Sequence, residues 1–150
     1  MPAEGWHVTL AFLGDVPGAR VAGLLSALGP VVAGTPPLTL QLAGAGRFGS
    51  RRPRVLWAGV TGDVGTVTTL ADRLAAGARH AGVPVEDRPY SPHLTLGRWS
   101  AREPADPASA QAWVDRLAGE HGPAWPVTEV VLWRSRPGAA YERLAGWPVQ

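Results

Sequence analysis

Two short phrases, His7-Val8-Thr9-Leu10 and His93-Leu94-Thr95-Leu96, carry the residues best suited to chemistry in this chain of 150 residues. Each sets an imidazole two residues before a hydroxyl. In an extended chain successive side chains alternate, so His and Thr share one face and the apolar residues the other. Given four His, nine Thr and sixteen Leu, random placement would produce two such phrases on the order of once in 4,000 chains. An imidazole titrates near pH 6.5, so of two facing rings one can be neutral and the other protonated near neutrality. That pairing supplies one general base and one general acid. Displacement at phosphorus sets attacking and leaving oxygens in line on opposite sides, which suits two imidazoles related by an approximate two-fold axis. Thr9 and Thr95 would donate to the non-bridging phosphate oxygens. Arg98, five residues after His93, adds a positive charge.

Other uses of these residues fit less well. Zinc takes three or four ligands, often including thiolate or carboxylate. The chain has no Cys, and neither phrase carries Asp or Glu on its His face, so no metal or other cofactor is expected. A Ser nucleophile finds no G-x-S-x-G turn and no carboxylate placed to orient a His. His80 and His121 fall near the ends of expected helices, where a cation is favoured, and are read as non-catalytic. All fourteen basic residues are Arg, as a GC-rich coding sequence favours. Arg47, Arg51, Arg52 and Arg54 crowd into eight residues, and guanidinium forks bind phosphate oxygens in pairs. A formal charge of +2 implies a local anion site rather than a long basic face for duplex nucleic acid. Phe48, beside those arginines, either stacks on a base or packs in the core. Tyr90, just before the second phrase, has the same two uses, with packing favoured.

The elements that must position these residues are legible as patterns. Residues 7–14 alternate as a strand. Val21, Leu24, Leu25 and Leu28 recur at helical spacing. Residues 36–44 read as a strand with Leu38, Leu40 and Leu42 on one face, residues 47–54 as a loop broken by Gly and Pro, and residues 55–60 as a short apolar strand. A second helix is expected over about 64–81 on Val67, Leu70, Ala71, Leu74 and Ala78, ended by Gly82. The strand of the second phrase follows. Asp106-Pro107 reads as an N-cap and first residue of a third helix to about residue 120, with Trp113, Val114 and Leu117 as its apolar stripe. Two strands, 126–135 and 141–149, close the chain. Each half thus runs His-x-Thr strand, helix, strand, loop, strand. A duplicated α+β unit most simply pairs about a two-fold axis, with the polar faces of its two sheets meeting across a groove.

Composition sets the bounds. An apolar share of 45% is ordinary for a globular protein. No apolar run has the length of a membrane span, and the N-terminus lacks the basic and apolar regions of a signal peptide. The absence of Cys excludes a disulfide scaffold and thiol chemistry. A cytoplasmic protein without membrane association is expected.

The paired phrases, with "GWHVTLAFLGDV", "RFGSRRPRVLWAGV", "YSPHLTLGR" and "VVLWRSRPGAAYERLAGWPV" around them, resemble the 2H phosphoesterases across nearly the whole chain. The branch they resemble is that of RNA 2′,3′-cyclic phosphodiesterases, also called 2′–5′ RNA ligases. The resemblance implies one bilobal α+β domain over residues 1–150, two antiparallel sheets backed by helices with a central cleft. It implies metal-independent opening of a 2′,3′-cyclic phosphate to a 2′-phosphate, with 2′–5′ joining of RNA ends in some members. By position, His7 and His93 become the acid–base pair, Thr9, Thr95 and Arg98 the phosphate contacts, and Phe48 with Tyr90 the nucleotide contacts. The implied partners are RNA 3′ ends or small cyclic nucleotides. Two other readings stand beside this one: an RNA-end binding module without turnover, and an enzyme for another phosphoester such as a 2′–5′ oligonucleotide. Relatives usually open with a strand and a long helix before the first phrase, whereas six residues precede His7 here. The expectation is a sheet short of one strand. The family implies a monomer, while an open sheet edge invites pairing with a second copy.

Overall fold

The computed structural model describes residues 5–100, 102–103 and 105–150. In chain order they form α1 (Gly18–Ala33), β1 (Thr39–Phe48), β2 (Val55–Gly62), α2 (Val64–His80), β3 (His93–Arg98), α3 (Pro107–Leu117), β4 (His121–Pro126), β5 (Glu129–Arg134) and β6 (Glu142–Pro148). The α+β class expected from the sequence is observed. The chain divides into two compact units that alternate along the sequence. One holds the N-terminal segment through Thr9, Thr39–Val64 and Ser91–Trp125; the other holds Leu10–Leu38, Gly65–Tyr90 and Pro126–Gln150. The units therefore do not coincide with the two sequence halves, because each takes elements from both.

The first unit is built on a sheet in the order β3-β2-β1-β4, with β1–β2 and β2–β3 antiparallel. The β1–β2 register shifts between Leu42 and Ala45, where Gly44 takes φ +65°, a conformation that costs little only without a Cβ. This bulge carries β1 onward to Phe48. Arg47 and Phe48 are thus strand residues, where a loop was expected, because the shift lets residues 45–48 pair with 58–55. Ahead of the bulge Leu40 faces α3's side of the sheet, and after it Arg47 does. α3 packs on β1 through fully buried Ala110, and Arg47 Nε donates to Gln111 Oε1 at 3.3 Å. Of the expected stripe on α3, Val114 and Leu117 are half-buried, and Trp113 is the correction. Trp113 stays 49% exposed with the Arg116 guanidinium 5.0 Å over its ring, since the covered face of α3 runs through Ala110, Val114 and Leu117 at helical spacing and Trp113 lies off it. The N-cap is as expected: Asp106 accepts from the Ser109 amide at 3.1 Å, and Pro107 follows.

Two expectations in this unit change. Residues 7–14 form no ladder; the first phrase is extended and makes a single antiparallel bridge, Val8 to Leu94. Its burial still alternates, with His7 and Thr9 exposed and Val8 and Leu10 half-buried. His121 does not end a helix but opens β4, whose Gly and Pro content hid it. A strand at the sheet edge tolerates Pro because its outward amide has no partner to lose.

The second unit holds α1, α2 and the antiparallel pair β5–β6. All five α2 residues expected to be apolar and inward are buried. Three of them, Leu70, Leu74 and Ala78, build one cluster with Leu24, Leu28 and Val32 of α1, Val83 and Val130 of β5, against which Leu132 and Trp147 pack. Gly82 ends α2 at φ +81°, and the amide of Val83 returns to the Ala78 carbonyl at 2.9 Å, closing the last turn as a left-handed residue allows. The sheet of this unit has two strands among the described residues.

Leu74→Ala should cost about 2–5 kcal/mol, and Asp106→Ala, which removes only the cap, about 1 kcal/mol. Urea unfolding midpoints at constant slope check both values.

Candidate active site

The Val8–Leu94 bridge brings the two phrases together inside the first unit. In antiparallel pairing the flanking residues also face one another, which sets His7 opposite Thr95 and Thr9 opposite His93. All four side chains lie on the face away from Val8 and buried Leu94. Residues directly opposite have Cβ atoms about 4.5–5.5 Å apart, and the diagonal pair His7 and His93 about 7–8 Å. The local two-fold relation thus arises from side-by-side pairing of the phrases within one unit.

Each histidine is held by its own backbone. His7 Nδ1 lies 2.8 Å from the Gly5 carbonyl oxygen, and His93 Nδ1 lies 2.8 Å from that of Ser91. A carbonyl only accepts, so Nδ1 carries the hydrogen in both rings and proton exchange falls to Nε2. His121 makes the same bond to Gly119, so the bond is a local habit of histidine entering an extended segment. What sets His7 and His93 apart is the shared face with two threonines.

Two further residues reach this face through pairing. Thr95 pairs with Trp57, but Gly97 pairs with Leu56 and Arg98 with Val55, so Leu96 is an extra residue. That bulge matters, since five residues after His93 a regular strand would aim Arg98 the opposite way. With it, Arg98 joins the His and Thr side. Arg98 is exposed and enters none of the three ion pairs among the described residues. Phe48 pairs with Val55 and meets the His93 ring edge-on, with centroids 4.9 Å apart. Arg47, on the other face, is held by Gln111 and by the carbonyls of Gly49 and Ser50. Arg51, Arg52 and Arg54 are exposed.

Trp57 escaped the sequence reading. It lies on the same face, its ring 5.5 Å from Phe48 and 6.0 Å from His93. One of seven tryptophans in a short apolar strand gave no signal. The cue was the glycine across from it, Gly46, and only the register reveals that pairing. No group of three or more His, Cys, Asp or Glu placed to hold a metal ion occurs among the described residues. No helix among them is long and apolar enough to cross a membrane.

An α+β fold that presents two His-x-Thr segments side by side defines a narrow class of proteins. The model of the 2′-5′ RNA ligase superfamily matches residues 2–139, and the chain belongs to that family. The RNA 2′,3′-cyclic phosphodiesterase of Geobacillus stearothermophilus is 34% identical over 97% of this chain, which spans 46% of that protein's length. The protein of the same name from Escherichia coli K12 is 30% identical over 97% of this chain and 76% of its own length. Among solved structures, TT0787 of Thermus thermophilus is 26% identical with a TM-score of 0.73, covering 99% of this chain and 80% of that one. E. coli LigT complexed with 3′-AMP is 27% identical with a TM-score of 0.70, covering 99% of this chain and 79% of that one.

Tyr90 falls in the second unit. Its hydroxyl is buried without a hydrogen-bond partner among the described residues, and burial pushes its pKa up to about 12. An unpaired buried hydroxyl favours packing over contact with a nucleotide. Because the folded pKa lies above the ordinary value near 10, the stability linked to this group is complete below pH 10. It is lost as pH rises toward 12, where only the unfolded chain ionises freely. Tyr90→Phe should therefore leave neutral-pH stability unchanged or raise it by about 1 kcal/mol. It should also remove the phenolate absorbance that develops near pH 12. Denaturant melts and ultraviolet titration measure the two effects.

Proposed function

We propose that this chain is a metal-independent phosphodiesterase that opens a 2′,3′-cyclic phosphate at an RNA 3′ end or on a small cyclic nucleotide, leaving a 2′-phosphate. The observation that carries the proposal is the bridge at Val8 and Leu94, which sets two imidazoles and two hydroxyls on one sheet face. The names of the relatives support it, as does the LigT complex with 3′-AMP. In the reaction one Nε2 takes a proton from water as its oxygen bonds to phosphorus. The bond from phosphorus to the 3′ oxygen breaks, and the Nε2 hydrogen of the other ring goes to that oxygen. Thr9, Thr95 and Arg98 bind the non-bridging oxygens as charge builds on them. Phe48 offers its exposed ring to the base. With the 5′-hydroxyl of an RNA end in place of water as the nucleophile, the same groups would form the 2′–5′ bond that the family's name describes, the 3′ oxygen leaving as before. The competing reading is a module that binds such ends without turnover, and the same experiment separates the two.

Purified protein in EDTA, given a 2′,3′-cyclic nucleotide or a short RNA ending in the cyclic phosphate, should yield the 2′-phosphate by phosphorus NMR. His7→Ala and His93→Ala should each lower kcat at least about a hundredfold, and the wild-type rate should be bell-shaped in pH. Binding without product from folded wild type would favour the binding module. Arg98→Ala should raise KM and lower kcat together, with partial recovery in Arg98→Lys, which keeps the charge but loses the fork.

A further inference from the structure

Three aromatic rings meet on the site face: Phe48, Trp57 and His93, with centroids 5.5, 4.9 and 6.0 Å apart. The contact among them rests on a glycine. Gly46 pairs with Trp57 across β1 and β2, and a Cβ built on it would overlap the indole carbons Cη2 and Cζ2. Such an approach is open to glycine alone, so the indole lies across the bare backbone of β1. The indole Nε1 is buried and has no hydrogen-bond partner among the described residues. Trp57 is therefore held by its faces and shape, not by its polar atom.

Among the described residues, the His93 ring is hydrogen-bonded on one side, through Nδ1 to the Ser91 carbonyl oxygen at 2.8 Å. A single hydrogen bond leaves the ring free to tilt about it. The edge of Phe48 and the tilted face of Trp57 close off that freedom, since aromatic pairs at these separations attract in defined orientations. We infer that Trp57, seated on Gly46, is a positioning residue that keeps the His93 imidazole in its Nδ1–H tautomer with Nε2 directed at the reacting phosphate. This rests on the function proposed above for the site, and it adds a residue which that reading did not use.

The test reads the ring directly as well as the rate. Nitrogen NMR of the imidazoles at alkaline pH should show distinct Nδ1–H and acceptor Nε2 signals for His93 in the wild type. In Trp57→Ala and in Gly46→Ala, which unseats the indole without removing it, the two signals should converge while those of His7 hold. Both variants should lose about tenfold to a hundredfold in kcat, as a small misplacement of a reacting group does, with KM changed less than about threefold. Trp57→Phe, which discards an N–H that bonds to nothing, should recover most of the rate and the wild-type His93 signals. Trp57→Leu stands in if the alanine variant does not fold by circular dichroism, with the same outcome expected. Unchanged His93 signals and kcat in folded Gly46→Ala and Trp57→Ala would overturn the inference. A wild type that turns over no cyclic phosphate sinks the proposed function, and the nitrogen signals still decide the role of Trp57.

Discussion

The site depends on one antiparallel contact, Val8 against Leu94. Two apolar residues pair inward, and because side chains alternate, their neighbours must point outward together. His7, Thr9, His93 and Thr95 share a face for that reason alone. Leu94 is buried and β3 is held by β2, so a slip of the first phrase by one residue would turn His7 and Thr9 inward and strand them without water. The apolar half of each phrase thus holds the chemical half in place.

Two irregularities complete what the contact begins. The bulge at Gly44 shifts the parity of β1, so that Phe48 ends on the site face and Arg47 on the side of α3. The bulge at Leu96 does the same for Arg98. Without these extra residues the aromatic and the guanidinium would lie behind the sheet. Bulges of this kind re-aim side chains beside functional sites, and here each adds one residue to the face that carries the histidines. Gly46 contributes by having no side chain, which brings the Trp57 ring down beside His93.

The second unit gains its order from apolar burial. Its helices were legible because their buried faces recur at helical spacing, and Val67, Leu70, Ala71, Leu74 and Ala78 are all inside. α3 was legible at its start, where Asp106 and Pro107 signal a cap, and misleading along its length, where Trp113 was expected inside and lies exposed. Periodicity reports which residues could share a face. It does not report which of two overlapping faces a neighbouring strand covers, and on α3 that face runs through Ala110, Val114 and Leu117 and leaves Trp113 out. β4 was illegible because Gly and Pro signal turns, while its place at a sheet edge removes the objection to Pro.

The sequence by itself determined the two His-x-Thr phrases, the alternation that gives each a polar face, the α+β class and the resemblance to the family to which the chain belongs. These are local properties: a side chain's type and its parity along an extended segment need no knowledge of distant residues. Tertiary structure alone decided that the phrases lie side by side in one unit, that Arg98 and Phe48 turn toward them, and that Trp57 joins them over Gly46. Register and bulges are relations between strands, set by hydrogen bonds across chain separations that no local pattern records.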